Sequence, residues 1–374
     1  MNTVAFDIRS LSVPGGVAVY TENILEHLLR QDSSRQYNLI GRKRHERFNR
    51  YENAHFIPFN IPGRFLNRFW RYFKMFPMNK WIGRSHLFYS PNFTLPLLDG
   101  ETKTVITIHD LAFLKKKNAL TVSSQRFLEY WIRYSIQRAN RIVCVSEATR
   151  QDVIRFYGAD KDCRCTVISE GANENFRPLI VGTNQKLRIQ QKYGLPGKFN
   201  LFLGTLEPRK NIPVLVRACH LLRERTEVPD IVIAGRKGWL YDEIFELVKK
   251  LQLETRVHFP GEIENEDLPW LYNLCELLIL PSLDEGFGLP VLEAMRCGKS
   301  VIISDRGALP DLAGDAGIVF PAEDVAALAD AISKMSQDHI LRRKLEAAAL
   351  LQSAKYSWEK AASDTLRIFN ELGV

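Results

Sequence analysis

Pro281-Ser-Leu-Asp-Glu-Gly-Phe-Gly-Leu-Pro-Val-Leu-Glu-Ala-Met-Arg-Cys-Gly-Lys299 is the stretch whose reading decides the fold. It follows the apolar run Leu277–Leu280, short enough for a fully buried strand. Pro281 ends that strand because it cannot donate to a ladder. A glycine-rich turn carrying an acid follows, Glu285-Gly-Phe-Gly288, and Pro290 sits where a helix accepts proline. Strand, glycine loop and helix start together aim backbone N–H groups at an anionic ligand. Two carboxylates bracket the loop, Glu285 and Glu293. A plain capped βα turn would look similar from the glycines alone. Gly286-x-Gly288 lacks the third glycine of a dinucleotide fingerprint, since Val291 stands there, so a nicotinamide site is disfavoured.

Working outward, short apolar runs alternate with helical spacing along the whole chain, the pattern of parallel α/β sheets. The runs are Thr3–Ile8, Tyr37–Ile40, Leu87–Tyr89, Thr104–Ile108, Arg141–Val145 and Cys165–Ile168 in the first half. Phe199–Leu203, Ile231–Gly235, Val257–Phe259, Val301–Ile303 and Ile318–Phe320 follow in the second. At 374 residues the chain predicts two domains. The first is 1–172, with 357–374 packing back on it beyond the break at Tyr356-Ser-Trp358, and the second is 173–356. Several strand ends carry chemistry. Val13-Pro-Gly-Gly16 allows close backbone approach to a ligand through Gly15 and Gly16. His109-Asp110 ends one strand, where open α/β sheets bind ligands. Gly204-Thr-Leu-Glu-Pro-Arg-Lys-Asn211 ends another and places Arg209 and Lys210 before a helix N-terminus. Bases there suit phosphates and would otherwise sit against the helix dipole. Gly261-Glu-Ile263 could flank a nucleobase.

No segment approaches the apolar length of a transmembrane helix, and Met1–Asp7 carries no signal-peptide pattern. Six scattered cysteines without metal-ligand spacing predict reduced thiols in a cytoplasmic protein. The net charge of +8 is concentrated. Residues 41–86 hold eleven bases against two acids, Glu46 and Glu52. Within them, Pro62–Phe76 interleaves Arg64, Arg68, Arg71 and Lys74 with Phe65, Phe69, Trp70 and Phe73. On a helix the phenylalanines, Phe76 included, share one side, which suits an anionic membrane surface. Packing on the protein's own sheet is the alternative, and no nucleic-acid-binding motif supports a third.

These residues resemble the retaining glycosyltransferases of the GT-B fold, the group with bacterial mannosyltransferases, glycogen synthases and sucrose synthases. The resemblance rests on Gly15-Gly16, His109-Asp110, Val145-Ser-Glu147, Gly204–Asn211 and Glu285–Glu293, in the family's order over nearly the whole chain. It implies two doubly wound Rossmann-like domains facing a cleft, with a nucleotide-sugar donor bound mostly to the second. By analogy Arg209 and Lys210 hold the diphosphate, Glu293 takes the ribose hydroxyls, and Glu285 with the backbone of Gly286, Phe287, Gly288 and Leu289 holds the sugar. Gly204 and Ile263 complete the donor site, Gly15 and Gly16 approach the phosphates, and His109 contacts the sugar near its anomeric carbon. The family needs no metal or other cofactor, because Arg and Lys take a cation's place. Around Gly204–Asn211 and His109-Asp-Leu111 the likeness is greatest to enzymes using GDP-mannose. The expectation is hexose transfer, mannose favoured, to a lipid-linked saccharide at the inner face of the cell membrane, for a surface polysaccharide. Another nucleotide sugar, or a non-catalytic lipid-binding scaffold, is the alternative.

Overall fold

Valine-, isoleucine- and leucine-rich runs with no polar alternation belong to strands covered on both faces, and such strands pair in parallel. The computed structural model, which describes residues 2–61, 70, 75–115, 122–158 and 164–374, shows two sheets of this kind. The chain divides into two units, residues 1–170 with 358–374, and residues 171–357.

In the first unit the strands are β1 (Asn2–Asp7), β2 (Arg35–Gly41), β3 (Ala54–Pro58), β4 (Leu87–Ser90), β5 (Lys103–Ile108), β6 (Arg141–Cys144) and β7 (Cys165–Val167). They lie in the order β3-β2-β1-β4-β5-β6-β7, every pairing parallel. The chain runs outward from β1 to β3 and then crosses to β4 on the other side of β1, so β1 and β4 flank a topological switch point. β3 falls in the basic segment and has no counterpart among the expected strands. The helix Trp358–Glu371 packs on the helix Gly16–Gln31 of this unit. Arg35 fastens the chain end, donating from Nε to the Val374 carbonyl at 3.0 Å and from Nη1 to Asp32 at 2.9 Å. Tyr20 meets the Trp358 ring edge-on at 5.7 Å.

In the second unit the strands are β8 (Phe199–Leu203), β9 (Asp230–Ala234), β10 (Val257–Gly261), β11 (Leu278–Leu280), β12 (Val301–Ser304) and β13 (Gly317–Phe320). Their order, β10-β9-β8-β11-β12-β13, reverses between β8 and β11. β11 is only three residues, all fully buried, and it is continued by the loop that carries Glu285. After β13 the helical run of the chain is divided in two, Val325–Gln337 and His339–Ser353. Asp338 breaks the run by leaving helical geometry and capping the second helix, its side chain accepting from the Leu341 N–H.

The basic segment departs from its expected reading. Arg64, Arg68, Phe69, Arg71 and Lys74 lie outside the described residues. Trp70 was expected on a membrane-facing surface and is instead 4% exposed. Its indole Nε1 donates to the Phe76 carbonyl at 3.0 Å, and its ring meets Trp131 edge-on at 6.5 Å. Its large apolar area and its one donor are both satisfied in the core, the usual outcome for a buried tryptophan. Phe76 has φ +60°, so it does not continue a helix. Part of the charge excess is also answered locally. Arg47 pairs with Glu22 and Glu26, and Arg50 with Glu26, acids of the neighbouring helix Gly16–Gln31.

Candidate active site

Two chain segments converge at the β8/β11 switch point, where an open parallel sheet makes its ligand crevice. β8 delivers Gly204 and, after it, a 3₁₀ turn, Pro208–Lys210, that precedes the helix Ile212–Leu221. β11 delivers Pro281 to Gly288, which leads into the helix Leu289–Arg296. Asn211 locks the two together. It sits in the left-handed region at φ +55°, a conformation asparagine tolerates better than most side chains. From there its Nδ2 donates to the Pro281 carbonyl at 3.0 Å and the Ala322 carbonyl at 2.7 Å. The Leu283 N–H donates to the Arg209 carbonyl at 2.8 Å.

Within this frame the bases and the loop acid meet. Lys210 Nζ lies 2.5 Å from Glu285 Oε1, and Arg209 Nη1 donates to Glu285 Oε2 at 3.0 Å and to the Asp284 carbonyl at 2.9 Å. Arg209 also reaches Glu207 at 3.0 Å. Lys210 and Glu285 are each 8% exposed. Burial alone would push the Glu285 carboxyl up, but Lys210 and then Arg209 outweigh it and hold it at about 2. The carboxylate is therefore charged at neutral pH, and it fixes both bases at the carboxyl ends of adjacent strands. Such a cluster has no conformational work left to do when an anion arrives.

Glycines permit the close approach. Gly204 has φ +158°, and a Cβ there would stand 3.5 Å from the Lys210 side chain. A Cβ on Gly307, at φ +59°, would fall 2.3 Å from the Glu285 carbonyl oxygen. Gly288 caps the helix Leu289–Arg296 at φ +107° and leaves no room for a Cβ beside Leu309. Phe287 is 6% exposed, its ring edge-on to Tyr356 at 5.7 Å. Glu293, on the helix Leu289–Arg296, accepts a 2.7 Å hydrogen bond from Tyr272 Oη. Ile263, two residues past β10, is 6% exposed. Gly204, Arg209, Lys210, Ile263, Glu285 to Leu289 and Glu293 thus all belong to the second unit.

Gly15, Gly16 and His109 belong to the first. Gly15 caps the helix Gly16–Gln31 with φ +149°, and both glycines are exposed. His109 follows β5 and has a partner at each ring nitrogen. Nε2 lies 2.9 Å from the Pro91 carbonyl and Nδ1 3.1 Å from Glu170 Oε1. Burial disfavours the charged ring, yet Glu170 and the Pro91 carbonyl outweigh it and raise the His109 pKa above the ordinary histidine value. Two acceptors on two ring nitrogens suit an imidazolium. Tyr20 packs edge-on against the same ring at 4.7 Å.

Two residues of these clusters escaped the reading of the sequence. Glu170 is 61 positions from His109 and sits in what reads as a crossover, and Tyr272 lies on a helix with no motif. Neither carries a local signal, because each acts only through the fold.

The comparisons with known proteins agree with this geometry. The profile of the family described as "Glycosyl transferases group 1" matches residues 184–352, and that of "Glycosyltransferase Family 4" matches 14–176. The O-antigen chain mannosyltransferase B of Escherichia coli is 32% identical over 291 residues, 77% of this chain and 75% of that protein. A serotype-specific mannosyltransferase WbdA of Escherichia coli is 34% identical over 284 residues, which are 75% of this chain but only 35% of that protein. Among solved structures, the sucrose-phosphate synthase of Thermosynechococcus elongatus superposes with a TM-score of 0.78 at 20% identity, covering 100% of this chain and 99% of that one. Anabaena HepE, solved with UDP and glucose, gives 0.77 at 17% identity, covering 99% and 100%.

Proposed function

The chain belongs to the glycosyl transferases group 1 family and is a glycosyltransferase of the GT-B fold; from that premise we propose that it transfers mannose from GDP-mannose to a lipid-linked saccharide, with retention, in the synthesis of a surface polysaccharide. The observation that carries the reading is the convergence of Arg209 and Lys210 on the buried Glu285 at the switch point of the second sheet. In this reading the two bases hold the donor diphosphate and stabilise its charge as the glycosidic bond breaks, so that no metal is needed. Glu293, held by Tyr272, accepts from the ribose hydroxyls. Glu285 and the backbone of Gly286 to Leu289 hold the hexose, Gly204 leaves room for the phosphates, and Ile263 lies against the base. Gly15 and Gly16 bring backbone to the phosphates. His109 meets the hexose near its anomeric carbon, one ring nitrogen exchanging its present partner for a sugar hydroxyl. The acceptor oxygen attacks on the face from which the diphosphate leaves, and its proton passes to the departing phosphate oxygen.

The choice of mannose rests on the two mannosyltransferases above, the first of which is named for the O-antigen chain. The membrane part of the reading rests on sequence and on a small surface feature. No helix among the described residues is long and apolar enough to cross a membrane. Met75, Phe76 and Trp81 are each at least 50% exposed, beside the exposed bases Lys80 and Arg84. Exposed apolar side chains close in sequence to exposed bases suit an anionic lipid surface. The test is transfer by purified protein from each common labelled nucleotide sugar to a bacterial lipid extract, with and without the extract. Label entering the lipid phase from GDP-mannose alone supports the reading. Label from a UDP- or dTDP-sugar moves the donor, and no turnover of any donor overturns catalysis.

A further inference from the structure

We propose that the second unit carries a lipid-contact face of its own, an apolar stripe between bases on the helix His339–Ser353 that seats on an anionic bilayer. It extends the membrane part of the reading above and is independent of the catalytic part. The helix is apolar on two opposite sides. At ~100° per residue, Leu345, Ala349 and Ser353 fall on one side, and all three are buried. Ile340, Ala347 and Leu351 fall on the other, within about 40° of one another. Ile340 is 84% exposed and Leu351 75%, and Ala347 between them is exposed as well. From Ile340 to Leu351 the stripe runs about 16 Å at ~1.5 Å per residue. The buried side already docks the helix on its unit, so packing does not account for the second side. Leu350 widens the stripe towards Pro178, since an added Cβ on Gly298 would stand 3.5 Å from Pro178 and 3.8 Å from Leu350. Ile180, two residues further on, is fully exposed.

Charge decides the occupant. By helical spacing Arg343 and Lys344, both exposed, stand on either side of the stripe, and the exposed Lys355 follows its C-terminal end. The one acid of this helix, Glu346, falls off the stripe by about 120° and reaches Arg342 at 3.9 Å. A second copy docked across a two-fold axis would set these bases against themselves, and like charges across an interface are costly. An anionic bilayer supplies what the face lacks, negative headgroups for the bases and an apolar layer for Ile340 and Leu351. The long stems of Arg343 and Lys344 let their charged ends stay among the headgroups while the stripe goes deeper. Side chains as exposed as Ile340 and Leu351 project from the surface. A fluid bilayer takes such projections without a matching cavity, which a protein partner would have to provide.

The test places a nitrobenzoxadiazole fluorophore on the Ala347→Cys variant, with the unsubstituted protein labelled alike as the blank. Phosphatidylcholine vesicles are compared with vesicles that also contain phosphatidylglycerol. The anionic vesicles are expected to brighten the emission and shift it to the blue, and the neutral ones to leave it unchanged. Arg343→Glu together with Lys344→Glu is expected to weaken the vesicle titration followed at this probe at least about tenfold. Both bases are exposed, so this variant keeps the fold. An emission that does not change, even where the protein sediments with the vesicles, overturns the proposal. So does an equal response to neutral vesicles, or a titration that charge reversal leaves unaltered. A change that appears with rising protein concentration and no lipid assigns the face to a second copy and also overturns it. Hydrolysis of GDP-mannose by the unsubstituted protein is scored in parallel; its absence beside an intact lipid response breaks the catalytic reading and leaves the face standing.

Discussion

Lys210→Met tests the coupling at the centre of the site. The substitution keeps the length of the side chain and removes its charge, leaving Glu285 buried with Arg209 as its remaining cation. The Glu285 carboxyl is lowered from 4.5 to about 2, a charge stabilisation on the order of 3 kcal/mol that Lys210, then Arg209, supplies. Breaking one side of a buried pair typically costs ~3–5 kcal/mol. With Arg209 retained, a destabilisation of about 2–3 kcal/mol is expected. Turnover should fall further, because removing one preorganised charge from a transition state costs roughly 10²–10³ in kcat. The two effects separate in a double-mutant cycle. Lys210→Met with Glu285→Gln no longer buries an uncompensated charge, so urea unfolding at pH 7 should show about 2 kcal/mol of stability regained over the single variant. Transfer from GDP-mannose should stay lost. Additive destabilisation across the cycle would refute the pairing, and a Lys210→Met enzyme of near wild-type kcat would refute the phosphate role.

Other outcomes follow from the same structure. Tyr272→Phe removes the hydroxyl that orients Glu293, and a hydrogen bond to a charged group is worth about 1.5–3 kcal/mol. Calorimetry should show GDP bound at least about tenfold more weakly, with 2′,3′-dideoxy-GDP nearly unaffected; equal losses for both nucleotides would break the link to the ribose. Gly307→Ala should abolish donor binding in a protein that still folds, since the added Cβ would strike the Glu285 carbonyl oxygen and displace the loop; unchanged affinity would show that the loop tolerates the shift. His109 has its folded pKa raised, so its contribution to stability is present below about 6.5 and is lost as pH rises through the folded value. Glu170→Gln should lower the His109 pKa, read from its ring-proton shifts, and flatten stability above pH 6.5; an unmoved titration would remove Glu170 as the cause. Replacing Arg64, Arg68 and Arg71 with Glu should release the protein from anionic vesicles in sedimentation, and undiminished binding would locate the lipid contact elsewhere.

Much of the fold is legible because buried parallel strands write themselves as continuous apolar runs, and twelve of the thirteen described strands sit where such runs stand. β3, Ala54-His-Phe-Ile-Pro58, is the exception. Its burial is partial, as befits the strand at the end of the order, so its composition is mixed. The donor loops are legible for a different reason: glycine, proline and charge at strand ends violate what packing alone would choose. Partners are not legible. Nothing local says that Glu285 faces Lys210 rather than a ligand, that Glu170 faces His109, or that Tyr272 faces Glu293. These contacts depend on which strands are neighbours in space, and the sequence order does not state it. Trp70 shows the converse error. Bases next to aromatics in sequence read as one amphipathic face, but the indole could satisfy both its area and its N–H inside the domain, and it went in.

The measurement that bears most directly on the central claim is a calorimetric titration of GDP-mannose into the wild-type protein and into Glu293→Ala, with UDP-glucose as the comparison donor. The account predicts saturable binding of GDP-mannose, stronger than that of UDP-glucose and weakened by Glu293→Ala. Absence of GDP-mannose binding, or binding that Glu293→Ala leaves intact, would contradict a donor site built at the β8/β11 switch point.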